Sequence, residues 1–233
     1  MKEKEFYTSI VESFKKNHDK YQLSYDELIE KLGTTIRQFP ELVNKKIIDS
    51  NVLNNFGQYL HFFDSIEKEK IALLLEQNDA LKIVYTRLNE NLGKETFVGE
   101  WYTVEQSTVN QFAQVTGDQQ WIHISADRAK KESPYRSTIA HGFLTLALIP
   151  FLTDSVDPEK NIFPEAKMVV NYGLNSVLFP FPIKIGKRIR AHARVTKLVP
   201  MKRGLEVVRE ITIKIEGIAK PACIAETVLR LYF

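Results

Sequence analysis

An apolar segment without a charged side chain runs from Ile139 to Leu152, and it limits the folds that this chain can adopt. It is too short to span a bilayer, because a membrane helix needs about 20 apolar residues. A helix of this composition is expected to be buried on all sides, so other elements must surround it. No other apolar run approaches a membrane span in length, and the sequence therefore predicts a protein without one.

Three segments after this helix alternate between apolar and other residues at period two, which is typical of strands with one buried face. They are Lys187–Thr196, Leu205–Glu216 and Ala222–Phe233, and only Val208 and Arg209 interrupt the pattern of the second. The short connection at Met201–Gly204 favours an antiparallel hairpin. Together with the apolar helix, these segments predict an α+β domain in which an antiparallel sheet wraps around one helix.

The first part of the chain has helical periodicity instead. The stretch from Ser65 to Leu92 predicts one helix, ended by Gly93, with leucines spaced seven apart at Leu74, Leu81 and Leu88. Two interpretations stay open: a short coiled coil with Asn78 as a polar register-setting residue, or a bundle helix that buries a broad apolar stripe. We predict a helical N-terminal domain over residues 1–93 and the α+β domain over residues 94–233.

Composition excludes several classes of protein. The net charge of +3 suits an anionic ligand but is far below the charge of a typical nucleic-acid-binding surface, so no nucleic-acid partner is expected. The single cysteine, Cys223, cannot form an internal disulfide, and no Cys/His cluster predicts a metal site. The N-terminus lacks the apolar region of a secretory signal, so a cytoplasmic location is expected.

Asp118 and His123 lie five residues apart, beyond the break that Gly117 makes in a helix predicted over Ser107–Val115. A loop between them can aim both side chains at one point. A carboxylate and an imidazole that converge on one water can hold it and move its proton. Taken singly, Asp118 would more often be a turn or capping residue, and His123 a packed histidine.

The segment VTGDQQWIHISADRA resembles the signature of the MaoC-like dehydratases and (R)-specific enoyl-CoA hydratases, at Gly117, Asp118, His123 and Ala129. The segments Thr138–Leu148 and Val170–Arg190 resemble further motifs of this family, in the same order. The resemblance covers about residues 95–233 and implies a hot-dog fold. Many hydratases of this family have Asn-Pro at the positions of Gln120 and Trp121. The Gln-Trp pair is more like the nodulation-protein-N-like branch of the family.

The resemblance also implies a function. The reaction is hydration of an enoyl thioester, or dehydration of an (R)-3-hydroxyacyl thioester, with coenzyme A or acyl carrier protein as the carrier and no cofactor. The implied catalytic residues are Asp118, His123 and Gly142, whose N–H would bind the thioester oxygen. The implied substrate-binding residues are Trp121, Thr138, His141 and Phe143. A homodimer or higher homo-oligomer, with the site completed across the interface, is expected.

Two other functions compete with this one. A hot-dog thioesterase would share the fold but not the spacing of Gly117, Asp118 and His123. A scaffold protein with an idle hot-dog domain, docking through its helical half, would not need the Asp118 and His123 pair. The basic face of one predicted strand, formed by Arg188, Arg190, His192 and Arg194, either meets carrier phosphates or is a solvated sheet face.

Overall fold

Six antiparallel strands form one sheet in the computed structural model, which describes residues 68–155, 158–160 and 162–233. The strands are β1 (Glu95–Val98), β2 (Tyr102–Thr103), β3 (Met168–Leu178), β4 (Arg188–Met201), β5 (Gly204–Ile215) and β6 (Ile218–Tyr232). Their spatial order is β1, β4, β5, β6, β3, and β2 also pairs with β4. The three strands predicted from alternation are β4, β5 and β6, and the prediction of an antiparallel sheet is confirmed.

The described helices precede β1 or lie between β2 and β3 along the chain. They are α1 (Asp79–Asn89), α2 (Gln106–Thr116), α3 (Trp121–Ile124), α4 (Ala126–Glu132), α5 (Gly142–Ala147) and α6 (Ile149–Leu152), with a 3₁₀ turn at Pro158–Lys160. Residues 68–76 are helical as well. Among the described helices, none is long and apolar enough to cross a membrane.

The main core lies between the sheet and the apolar helix. Leu144, Ile149 and Leu152 from α5 and α6 are buried together with inward side chains of the central strands, namely Ala191, Ala193, Ile211, Ile213 and Ala225. Leu148 keeps a right-handed helical conformation between α5 and α6, and its N–H donates to the carbonyl of Leu144, so the two run on as one helical segment. The predicted arrangement of a sheet around one helix is therefore confirmed.

The prediction that this helix is buried on all sides is wrong for the single chain. Phe143 is 70% exposed and Phe151 is 54% exposed, although both belong to the charge-free segment. The sheet covers one side of the helix, whereas Phe143 and Phe151 are covered only in part, by the rings of Phe179 and Tyr102, respectively. A lack of charge therefore did not distinguish a helix enclosed by its own chain from one with an open apolar side.

The edge strand β3 was not predicted as a strand. Its register against β6 shifts between Asn171 and Gly173 and again between Leu174 and Ser176. Each bulge adds a residue that interrupts the alternation of side chains, so the sequence shows no period of two. Most of β3 is exposed, and its outer edge has no partner strand among the described residues.

A second core joins α1 to the same sheet. Leu81 and Val84 of α1 are buried, and they form one cluster with Leu205 and Leu229 of the sheet. Part of the segment predicted as an independent helical domain thus packs against the α+β domain. The rest of the predicted N-terminal domain, residues 1–67, lies outside the described residues, so the boundary at residue 93 stays a prediction.

The prediction of one helix from Ser65 to Leu92 is wrong. The helical conformation stops at residue 76 and resumes at Asp79, and Asn78 is the N-cap of α1. The Asn78 side chain accepts a hydrogen bond from the backbone N–H of Leu81 at 3.1 Å. Asparagine is among the best N-cap residues because its side chain satisfies a free helix N–H. Asn78 therefore separates two helices and does not lie at a core position of one continuous coiled coil. The apolar face of α1 packs against the sheet of the same chain.

Replacing Asn78 tests this assignment. At a core position of a coiled coil, Asn78→Leu would raise the free energy of unfolding, whereas at an N-cap it removes a hydrogen bond. We expect the variant to lose about 1 kcal/mol in urea denaturation. Asn78→Asp keeps a capping oxygen and is expected to remain close to the wild-type stability. A more stable Asn78→Leu protein would contradict the capping role.

Candidate active site

Gly117 directs the chain into the site. It ends α2 in the left-handed conformation, with φ of 77°, and its N–H donates to the carbonyl of Ala113 at 2.9 Å. Glycine adopts this conformation without steric cost, which is why helices often end on it. Asp118 therefore follows the helix directly, at an exposed position.

His123 lies on the short helix α3, not in the loop that the sequence predicted. Its Nδ1 is 2.8 Å from the main-chain oxygen of Ile139. A carbonyl oxygen only accepts hydrogen bonds, so Nδ1 of His123 carries the proton and donates. The lone pair of the neutral ring is consequently on Nε2, which is the atom left to act on a ligand.

His141 supports both predicted catalytic residues. It is 2% exposed, and its Nε2 donates to the main-chain oxygen of Asp118 at 2.9 Å. Its ring stacks on the ring of His123, with centroids 3.8 Å apart and planes inclined by 26°. On another side the ring contacts Phe112, with centroids 5.1 Å apart. His141 thus fixes the backbone of Asp118 and the ring of His123.

The predicted pair comes together in the structure. One carboxylate oxygen of Asp118 and one ring nitrogen each of His123 and His141 lie within 4.8 Å of one another. A water forms two hydrogen bonds of about 2.8 Å, which span about 4.6 Å at a near-tetrahedral angle. This span falls within the 4.8 Å limit, so the two groups are close enough to share one water.

His141 also supplies a third possible ligand atom for a metal, a ring nitrogen, and the sequence analysis missed it because it lies 18 residues from His123. These three side chains are the candidate metal ligands of the described residues. However, the rings of His123 and His141 are stacked, so their in-plane lone pairs lie in nearly parallel planes. Ligands of one metal ion must instead point at a common centre, and the stacked arrangement does not favour such a site.

The pKa of His123 is lowered from its ordinary value of 6.5. Burial is the largest cause, since it disfavours the charged imidazolium, and the neighbouring His141 acts in the same direction. The hydrogen bond to Ile139 and the charge of Asp118 oppose this shift but do not cancel it. His123 is therefore neutral at neutral pH and available as a base.

Gly142 is the first residue of α5, and a side chain there would not fit. A Cβ atom on Gly142 would come within 2.9 Å of Cδ2 of Phe179. The ring of Phe179 thus lies against the glycine, and it meets the ring of Phe143 edge to face, with centroids 6.2 Å apart. The sequence analysis expected a glycine at position 142 so that a thioester could approach. In the structure, the ring of Phe179 gives a second reason for a residue without a side chain.

The other predicted substrate-binding residues differ in accessibility. Trp121 is partly exposed, and the guanidinium of Arg128 lies 4.5 Å from its ring centre. Phe143 is largely exposed. Thr138 is only 4% exposed, and its hydroxyl donates to Oε1 of Gln106 at 2.6 Å. The sequence analysis did not identify Gln106, because a glutamine at the start of a helix has no distinctive spacing.

The basic face of β4 is already paired on the sheet. Arg188 forms an ion pair with Glu216, and Arg194 lies 2.9 Å from Glu210. Nδ1 of His192 is 3.0 Å from a carboxylate oxygen of Glu95, and the guanidinium of Arg190 lies 4.4 Å from the ring centre of Trp101. These partners argue against a carrier-phosphate site, and of the four residues only Arg188 and Arg194 are exposed to solvent.

Comparison with known proteins identifies the family of this chain. A sequence model of the MaoC like domain matches residues 89–216, which include Asp118, His123 and Gly142. The chain belongs to the MaoC-like dehydratase family. The resemblance found in the sequence is thereby confirmed, and so is the hot-dog fold.

Two curated relatives match along most of their length. The chain is 41% identical over 139 residues to 3-hydroxyacyl-thioester dehydratase Z of Mycobacterium tuberculosis, covering 59% of this chain and 89% of that protein. It is 38% identical over 157 residues to nodulation protein N of Rhizobium leguminosarum bv. viciae, covering 66% of this chain and 92% of that protein. Dehydratases are hydro-lyases, so the predicted enzyme class is confirmed. The cytoplasmic location stays a prediction.

A solved structure shares the fold at low identity. The monoamine oxidase regulatory protein from Archaeoglobus superposes with a TM-score of 0.50 at 22% identity, covering 58% of this chain and 88% of that one. At this identity the likeness concerns the fold alone.

A pH titration tests the electrostatics of the site. Because burial disfavours the imidazolium, the unfolded chain binds a proton at higher pH than folded His123 does. The stability gained from neutral His123 is full above pH 6.5 and is lost as the pH falls through the lowered pKa. We expect the NMR signal of the His123 ring to titrate below 6.5. A midpoint at or above that value would contradict the effect of burial.

Proposed function

We propose that this chain hydrates 2-enoyl thioesters and, in the reverse direction, dehydrates (R)-3-hydroxyacyl thioesters. The observation that carries the proposal is the approach of an Asp118 carboxylate oxygen and a His123 ring nitrogen to within 4.8 Å. The name of the mycobacterial relative, a 3-hydroxyacyl-thioester dehydratase, supports the same reaction class. The carrier is coenzyme A or acyl carrier protein.

In the hydration direction, one water lies between Asp118 and His123 and donates a hydrogen bond to each. The water oxygen adds to C3 of the enoyl group while one member of the pair takes a proton from it. The electrons of the double bond move to the thioester oxygen, and the proton then returns to C2. One O–H bond of water and the C=C π bond are exchanged for a C–O and a C–H bond, so the step balances without an oxidant or reductant, and the protein ends the cycle in its starting protonation state.

The thioester oxygen carries negative charge between these two steps. We assign its stabilisation to the N–H of Gly142, because the first N–H groups of a helix have no acceptor within the helix. The segment that starts at Gly142 continues through α6, so its backbone dipoles also favour negative charge at this end. A fixed donor aimed at a developing oxyanion typically lowers the barrier by a few kcal/mol (about 3).

The acyl chain is proposed to contact Trp121 and Phe143, whose rings are accessible. Thr138 and His141 are nearly covered by protein. The proposal therefore gives these two side chains a supporting role beneath the substrate, which differs from the direct contact expected from the resemblance. Because the accessible rings of Trp121 and Phe143 would line the acyl site, the preference for acyl-chain length is expected to depend on Trp121.

Substitution of the pair tests the reaction. Asp118→Asn keeps the size of the side chain but removes the basic carboxylate, so kcat for enoyl-CoA hydration is expected to fall by roughly 10²- to 10⁴-fold. KM should change little, because the carrier and acyl contacts lie elsewhere. His123→Gln should have a similar effect, and the double variant should be hardly worse than either single one. The assay follows loss of the conjugated enoyl thioester by absorbance.

Three controls accompany these variants. Thermal melting shows whether each protein is folded, and EDTA should leave the wild-type rate unchanged if no metal takes part. Release of free thiol from acyl-CoA would instead identify a thioesterase. Hydration by a folded Asp118→Asn protein at the wild-type rate would remove Asp118 from the chemistry.

We also propose that the protein is a homodimer joined along β3. The outer edge of β3 leaves its backbone groups without a partner strand among the described residues, and an exposed edge readily pairs with another strand. Apolar side chains are exposed along it, namely Met168, Val169, Tyr172, Leu174 and Leu178. A second copy related by a two-fold axis would cover this edge and the nearby ring of Phe179. Because Phe179 touches Gly142, such a copy would also enclose the site.

Paired substitutions test the interface. We expect Leu174→Lys with Leu178→Lys to halve the mass measured by sedimentation, because two charges would be buried without partners. Leu73→Lys with Ile83→Lys is the matched control, since these residues are 54% and 55% exposed, against 50% and 63% for the first pair. A monomeric wild type, or an equal effect of the control, would contradict the assignment to β3.

A further inference from the structure

The side-chain amide of Gln106 joins three parts of the chain beneath the site. Its Nε2 donates to the main-chain oxygen of His123 at 2.8 Å and to Oδ1 of Asn110 at 2.8 Å. Its Oε1 accepts the hydroxyl proton of Thr138 at 2.6 Å. Gln106 is the first residue of α2. It therefore joins the start of α2 both to α3, which carries His123, and to the segment at Thr138.

The orientation of this amide follows from its partners. The carbonyl oxygen of His123 can only accept, so the nitrogen of Gln106 must face it. The oxygen of Gln106 then faces Thr138, whose hydroxyl is therefore the donor. Each of the three contacts has one donor and one acceptor. In this orientation, no donor of the amide faces another donor and its oxygen faces no other acceptor.

The two segments held by Gln106 determine how the His123 ring is placed. Thr138 precedes Ile139, whose carbonyl accepts the proton on Nδ1 of His123. The N–H of Ile139 also donates to the carbonyl of Ile122, at 3.2 Å. The backbone of His123 and the acceptor of its ring are thus joined through one side chain, by bonds of 2.8 Å and 2.6 Å.

We propose that Gln106 is a positioning residue for the acid–base pair. It holds the backbone of His123 at the distance from Ile139 that keeps the proton on Nδ1 and leaves the lone pair on Nε2 facing the water. This inference rests on the proposed function, because it assigns Gln106 to the reaction of Asp118 and His123.

The chemistry depends on this tautomer. With the proton on Nε2 instead, the ring would present a donor to the water and could not take its proton. Loss of the Gln106 amide would leave the carbonyl of His123 and the hydroxyl of Thr138 without their partner. A displacement of about 1 Å in a catalytic group can lower a rate about 100-fold.

Kinetics of three variants test the inference. Gln106→Met keeps the shape of the side chain, and Thr138→Val removes only the hydroxyl donor. Both are expected to lower kcat for hydration about 10- to 100-fold with KM little changed. Thr138→Ser restores the hydroxyl and should recover most of the rate. Asn110→Ala is the matched control, because it removes one bond of the same amide but does not lie between Gln106 and His123, and its rate should stay unchanged.

An NMR measurement separates positioning from general damage and does not depend on activity. The ¹⁵N shifts of the His123 ring report which nitrogen carries the proton. We expect Nδ1–H in the wild type and in Asn110→Ala, and a mixture of tautomers in Gln106→Met and Thr138→Val. If Gln106→Met does not fold, the two Thr138 variants decide the test.

The outcomes are distinguishable. A wild type that hydrates no thioester would contradict the proposed function, and the tautomer measurement would still decide the role of Gln106. An unchanged tautomer in folded Gln106→Met or Thr138→Val would overturn the positioning role. So would an Asn110→Ala rate that falls as far as that of Gln106→Met, because the effect would then be a general loosening of α2.

Discussion

Burial of the helical segment that begins at Gly142 against the sheet is the constraint on which the other features depend. Removal of apolar surface from water is the main favourable term in folding, and here it fixes Leu144, Ile149 and Leu152 against the inward face of the sheet. His141 immediately precedes this segment, so its buried ring has a fixed place under His123. The site is therefore built on the N-terminal end of a helical segment that is anchored in the main core.

Main-chain carbonyl groups organise the polar part of the site. The oxygens of Ile139, Asp118 and His123 accept hydrogen bonds from His123, His141 and Gln106, respectively. These contacts set two tautomers and one amide orientation without any charged partner. A site assembled from short helices and loops needs such fixed contacts to hold its geometry. The pKa of His123 stays lowered despite its hydrogen bond to Ile139 and the nearby carboxylate, because burial disfavours the imidazolium more strongly.

Much of the fold was predictable because β4, β5 and β6 alternate with few interruptions and Gly117 marks a helix end. The proximity of Asp118 and His123 was also predictable, from their spacing and their likeness to a family motif. Other features left no signal in the sequence. Asn78 fits a heptad as well as it fits an N-cap, and two bulges hide the alternation of β3. Gln106 acts through contacts with residues far along the chain, which spacing does not show.

The two bulges of β3 have a consequence for how this protein avoids unwanted association. A long, flat edge strand offers regular hydrogen bonds to any extended chain and is a common starting point for aggregation. Bulges bend a strand and increase its twist, so a regular foreign strand cannot match its bonding groups along the whole length. Those near Asn171 and Leu174 divide β3 into short regular stretches. The exposed edge can therefore pair along its length only with a strand whose bulges match those of β3. Regular strands of other chains pair with it poorly, which limits aggregation.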